Sequence, residues 1–218
     1  SVRARPIAYV SQRLHPNELS TYEALADRKW KGRVCIRSSD NIYNQSLVAS
    51  MIAQRGVAAT ETWARGFVAN FARPPVGGDR DQVLAAAAGQ CDVVIVNTYY
   101  LAAMLNDKDP AQHDAAHKLA VFWPNQKDRG VHVNVSGIGL TAAARHRDSA
   151  VRLIEYLASA EAQTWYAEVN HEYPIRPDIP VSKTLAAMGR FKADTLNLHQ
   201  LGQYNAEAVK LMDRAGWK

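Results

Sequence analysis

A run of β-branched aliphatics that gives way at once to a helical pattern narrows most sharply what this chain can become. Val93-Val94-Ile95-Val96 follows Asp92 as a strand buried on both faces, of the kind found in parallel sheets, and Leu101, Met104 and Leu105 then fall on one helix face. Strand turns into helix at Asn97-Thr98. In open α/β sheets ligands collect outside the carboxyl ends of strands, so Tyr99 and Tyr100 sit where a small ligand would be held. Taken alone, the pair also fits one ring packed in the core and one at the surface.

A second junction of the same kind lies upstream. Gly32 to Arg37 reads as a strand, and Ser38-Ser39-Asp40-Asn41 is a cluster of helix-capping residues ahead of a helix carrying Leu47, Val48, Met51 and Ile52. Tyr43 falls in its first turn. Free backbone N–H groups and the positive end of the helix dipole bind small anions at such turns, which makes Ser39 and Asn41 here, and Asn97 at the other junction, candidate anion-binding positions. Arg3 and Arg5 alternate with Val2 and Ala4 in an extended segment, so both guanidinium groups are available as an anion clamp. If the two strands are neighbours in one parallel sheet, Tyr43, Tyr99 and Tyr100 open onto one crevice.

The remainder of the chain supports this frame. Its 218 residues suffice for a substantial core, and 47% hydrophobic with 22% charged residues is ordinary globular composition. No run of eighteen apolar residues is present to predict a transmembrane helix, and the opening residues lack the apolar middle of a signal peptide. The net charge of +5 comes from dispersed basic residues and carries no nucleic-acid motif. Cys35 and Cys91, at or beside predicted strands, read as small core residues rather than a zinc site or redox pair. Thr60 is read as the cap of a helix burying Trp63, Phe67 and Phe71, and Trp165 as lying on the inner face of a helix begun by Ser159. The seven histidines read as scattered, with no pair spaced four apart on a helix, so none is taken as a metal ligand. Neither a nucleophile elbow nor a glycine-rich phosphate loop appears, and the chain is expected to be a binding module, not an enzyme.

A phenolate is a hard anionic oxygen, so three tyrosines around one point suit ferric iron better than zinc or copper(I). The ion must drive off the phenolic protons, which makes binding weaken in acid. At this point the sequence resembles the periplasmic ferric-iron-binding proteins of bacterial ABC importers. The resemblance rests on Arg3-Ala4-Arg5, Glu18-Leu19-Ser20-Thr21-Tyr22, Lys29-Trp30-Lys31-Gly32-Arg33, Asn41-Ile42-Tyr43-Asn44-Gln45-Ser46, Asn97-Thr98-Tyr99-Tyr100, Ser136-Gly137 and Glu172-Tyr173-Pro174-Ile175-Arg176-Pro177. It implies a periplasmic-binding-protein-like α/β fold with a parallel-rich sheet, Fe3+ on Tyr43, Tyr99 and Tyr100, and carbonate or a similar anion clamped by Arg5 and Arg3. It also implies a periplasmic or lipid-anchored extracellular setting and an ABC importer membrane permease as partner.

Members of that family are about half as long again. The resemblance therefore implies that residues 1–130 and 174–218 form the second lobe, with residues 131–173 a remnant of the first. Such a chain should expose apolar surface unless self-association or another fragment covers it. A binding protein of the same fold for an anion or small organic solute is the alternative expectation.

Overall fold

The computed structural model describes residues 1–218. Its strands, in chain order, are β1 (Val2–Ala4), β2 (Ile7–Val10), β3 (Val34–Cys35), β4 (Val93–Ile95), β5 (Leu119–Phe122) and β6 (Val133–Val135). The helices are α1 (Ile42–Arg55), α2 (Val57–Val68), α3 (Asp79–Ala87), α4 (Thr98–Leu105), α5 (Pro110–His117), α6 (Arg147–Leu157), α7 (Ala160–Val169), α8 (Lys183–Ala187) and α9 (His199–Arg214). Short 3-10 turns at 16–18, 23–26 and 28–30 lead from β2 to β3.

Four strands form the central sheet in the order β3-β4-β2-β5. The pair β3 and β4 is parallel, with Val34 opposite Val93 and Cys35 opposite Val94, while β2 runs against both β4 and β5. The sheet is thus mixed, not parallel-rich. A continuous apolar run signals burial on both faces and does not by itself fix strand direction. Alternation within the strands sends side chains to two separate cores. Ile7, Tyr9, Val93 and Ile95 join Leu47, Met51, Phe67 and Trp217 on one side. Ala8, Val10, Val94 and Val96 join Val83, Leu101, Met104 and Ala116 on the other. Helices α1, α2 and α9 therefore cover one face, and α3, α4 and α5 the other.

The expected aromatic face of α2 is core, as Trp63 stacks on Phe67 at 4.9 Å and Trp217 meets Phe67 edge-on at 5.3 Å. The start of α2 differs from expectation. Gly56, at φ 80°, closes α1 and serves as the N-cap of α2, a backbone state that glycine adopts without strain, so the helix begins at Val57 and Thr60 lies within it. The two cysteines are also more than core residues. Cys35 and Cys91 form a disulfide with Cα atoms 5.8 Å apart, tying the end of β3 to the turn before β4. Nothing in their spacing announces a bond that only the β3–β4 pairing creates.

A second, two-stranded sheet pairs β1 with β6, and an isolated bridge joins Val2 to Tyr173. Beyond it stand α6 and α7. Helix α6 buries no residue, and Leu153, Tyr156, Trp165 and Val169 are each at least half exposed. Trp165 therefore faces solvent, not the inner side expected from its spacing. Its helix has the right periodicity but no sheet beneath it. No helix of the chain is long and apolar enough to cross a membrane.

Candidate metal site

The parallel pairing of β3 and β4 releases the chain from both strands at the same sheet edge. Each exit leads to an asparagine N-cap, Asn41 for α1 and Asn97 for α4, with a tyrosine two residues further on. The Asn41 side chain accepts from the Tyr43 backbone N–H at 2.9 Å, which sets the first turn of α1 and aims Tyr43 out of it. Asn97 works differently: its Oδ1 accepts from Arg5 at 3.1 Å and its backbone N–H donates to Asp79 at 2.7 Å. Both junctions are thereby fixed by polar bonds, part-buried at Asn41 and buried at Asn97.

The three phenols come together as the spacing predicts. The Tyr43 and Tyr99 hydroxyl oxygens are 2.9 Å apart, and the Tyr99 and Tyr100 rings lie 4.3 Å apart, tilted by 34°. All three rings are half-buried rather than embedded among aliphatics. Burial first, then hydrogen bonding with Tyr100 and Tyr43, pushes the Tyr99 phenol above its ordinary range, while the neighbouring Asn97 amide opposes the shift. The free trio therefore holds its Tyr99 proton at neutral pH.

Three guanidinium groups surround Tyr43, with Arg3, Arg5 and Arg37 at 5.7, 5.8 and 5.6 Å from its ring centroid. Arg5 is fully buried. Its Nη1 donates to Asp79 and Asn97, and its Nη2 to Asn44 at 2.7 Å and to the Ile95 carbonyl at 3.2 Å, so it braces the two junctions against each other. Arg3 is nearer the surface, donating to Ser136 at 2.6 Å and lying 3.9 Å from Glu172. Ser39 is half-buried, its carbonyl accepting from Gln45 at 3.1 Å.

Arg37 and Asp79 belong to the site without having been expected there. Asp79, fully buried at the start of α3, holds Arg5 at 3.4 Å through one oxygen and Arg37 at 3.1 Å through the other. Burial works against the Arg37 charge, but Asp79 and then Tyr100 outweigh it and raise its pKa. The signal for Arg37 was its place at the carboxyl end of a predicted strand. For Asp79 no local signal existed, since a helix-starting aspartate reads as a solvated cap.

Four buried donors in this cluster have no acceptor: the Nε atoms of Arg3, Arg5 and Arg37, and Nδ2 of Asn97. Unmet donors around half-buried phenols suit an oxygen-rich, negatively charged guest. The phenolic oxygens themselves suit a hard cation. For bonds of about 2 Å, neighbouring positions on an octahedral ion are about 2.8 Å apart, close to the observed Tyr43–Tyr99 separation. Histidine contributes nothing here. His132 is buried with Nε2 3.0 Å from Ser46 Oγ, and burial, with Arg5 and Arg129 nearby, lowers its pKa to about 3.

A family model described as bacterial extracellular solute-binding protein matches residues 10–192. Iron uptake protein A1 of Synechocystis is 51% identical over 216 residues, covering 99% of this chain and 60% of that protein. A structure from Trichodesmium, described as IdiA or FutA in complex with iron and citrate, is 49% identical and superposes with a TM-score of 0.97, covering 100% of this chain and 69% of that one. The ferric binding protein from Campylobacter jejuni is 36% identical with a TM-score of 0.96, again covering 100% of this chain and 69% of that one. The chain thus spans about 60% of the length of the relative it matches at 51% identity.

Proposed function

This chain belongs to the bacterial extracellular solute-binding protein family, and from that premise we propose that it is the cargo-holding part of a ferric-iron carrier serving an ABC importer permease. The single observation that carries the reading is the 2.9 Å approach of the Tyr43 and Tyr99 hydroxyls, with Tyr100 beside them, at the shared carboxyl edge of β3 and β4. Iron enters as cargo. Tyr43, Tyr99 and Tyr100 each give up a proton, and three phenolates then balance the charge of Fe3+.

An accompanying anion such as carbonate fills coordination positions left open on the solvent side. Arg3 and Arg37 are its first contacts, together with the Asn97 amide, because the terminal nitrogens of Arg5 are already engaged inside the protein. Ser39 and Asn41 contribute the adjoining turn. The names of the Synechocystis and Trichodesmium relatives, one an iron uptake protein and one a complex with iron and citrate, support this cargo. Binding without catalysis is the activity proposed.

Residues 1–130 and 174–218 are proposed as one lobe and residues 131–173 as part of another. The β1–β6 ribbon and the Val2–Tyr173 bridge, where three chain segments cross, support that division. The exposed apolar residues of α6 and α7 are then the face that another lobe or a second copy covers. A periplasmic or anchored extracellular setting is proposed with it, supported by the family and by the disulfide, a bond that persists in oxidising compartments.

Titration of the iron-free protein with a ferric chelate tests the proposal. An orange to red charge-transfer band should grow to one equivalent and be absent when Tyr99 and Tyr100 are both changed to Phe. A colourless titration refutes it. The arginine cluster favours one second reading, a carrier for an anion alone, in which calorimetry would show phosphate or sulfate binding equally well with and without iron.

A further inference from the structure

The histidines are not all scattered. His113 and His117 stand one turn apart on α5, and their Nε2 atoms approach to 3.1 Å with ring centroids 4.3 Å apart. An i,i+4 pair shares one helix face, the spacing that lets two imidazoles grip a single ion.

The geometry points to a second metal site here, specific for a borderline divalent ion such as Zn(II), Cu(II) or Ni(II). With metal–nitrogen bonds of about 2.0–2.1 Å, two imidazoles on one ion have their nitrogens about 2.8–3.4 Å apart, the lower end for octahedral and the upper end for tetrahedral angles. The observed 3.1 Å lies inside that interval. The other nitrogen of His113 faces a carboxylate, with Nδ1 3.2 Å from Asp114 Oδ1. A proton on Nδ1 donated to Asp114 leaves the Nε2 lone pair directed at the shared point, the arrangement by which outer carboxylates orient ligating histidines.

Position on the helix favours a cation as well, because His117 is the last residue of α5, where the helix dipole is negative. The His113 side chain is 43% accessible and His117 is exposed, so water completes the coordination sphere. Ferric iron is the poorer guest for two neutral nitrogens, and the phenol cluster the poorer host for these softer ions. The two sites should therefore load independently.

The test is calorimetric titration of the iron-free 218-residue chain with Zn(II) alone, with Cu(II) electron paramagnetic resonance to count nitrogen ligands. One equivalent should bind, with two imidazole nitrogens in the Cu(II) spectrum. Single substitutions H113A and H117A should each weaken Zn(II) by at least about tenfold, and D114N by about tenfold, with unchanged circular dichroism. The Y99F/Y100F double variant should keep wild-type Zn(II) affinity while losing the ferric band. The inference is overturned if H113A/H117A binds Zn(II) as wild type does, or if no heat appears at about 1 mM Zn(II).

Discussion

Replacing Asp79 by Asn removes one negative charge from between two guanidinium groups and leaves the shape of the side chain almost unchanged. Asp79 and Arg5 are both fully buried, and Arg37 is mostly so. In the wild type the carboxylate also accepts from the Asn97 backbone N–H at 2.7 Å. Removing one member of a buried ion pair costs about 3–5 kcal/mol, because the remaining charge is stranded away from water. Arg5 is that stranded charge, and burial already lowers its pKa with Asp79 as the chief opposing influence. For a chain of this size, with a urea dependence of about 2–3 kcal/mol per molar, D79N should move the unfolding midpoint down by about 1–2.5 M. Tryptophan fluorescence reports it, since Trp30, Trp63 and Trp217 are buried. Changing Arg5 to Met in the D79N background should recover part of the loss, giving a double-mutant coupling above about 1 kcal/mol. A D79N cost below about 1 kcal/mol, the range of exposed pairs, would refute the view of Arg5, Asp79 and Arg37 as a dry brace behind the tyrosines.

Further predictions concern the disulfide and two titrating groups. Cys35 and Cys91 are 56 positions apart, so the chain-entropy relation gives about 4 kcal/mol for their bond; C35A/C91A should lose that much in urea titration, and a loss below about 1 kcal/mol would contradict it. His132 titrates near pH 3 when folded and near its ordinary value of about 6.5 when unfolded, so the unfolded chain binds the extra proton between them. Stability should therefore be full above about pH 6.5 and fall as pH drops toward 3, and H132Q should flatten that part of the urea-midpoint profile. Because Tyr99 keeps its proton until iron displaces it, ferric affinity should rise at least about tenfold per pH unit through neutrality, measured by competition against a chelator of known affinity. A pH-independent affinity would remove Tyr99 from the ligand set.

The tyrosine cluster was legible in the sequence because each part of it is local. A buried strand, an asparagine cap and a tyrosine in the first turn can be read at Val93–Tyr100 and again at Val34–Tyr43, and one assumption, that the two strands are neighbours, brings them together. The β3–β4 register supplies it. Contacts that span the chain were not legible. Asp79 reaches Arg5 across 74 positions, and Cys35 meets Cys91 across 56, without any mark in the flanking residues. The direction of β2 was hidden for a related reason, as apolar runs report burial and not polarity. Trp165 followed its helical period but not its exposure, because periodicity names a face without naming what covers it. The His113–His117 pair, by contrast, is legible from its four-residue spacing alone.

A crystal grown with ferric iron, with anomalous diffraction collected at the iron edge, tests the central claim most directly. One anomalous peak should lie within bonding distance of the Tyr43, Tyr99 and Tyr100 oxygens, with the hydrogen bond between Tyr43 and Tyr99 gone. Iron found elsewhere on the chain, or none at all with that 2.9 Å hydroxyl contact intact, would contradict it.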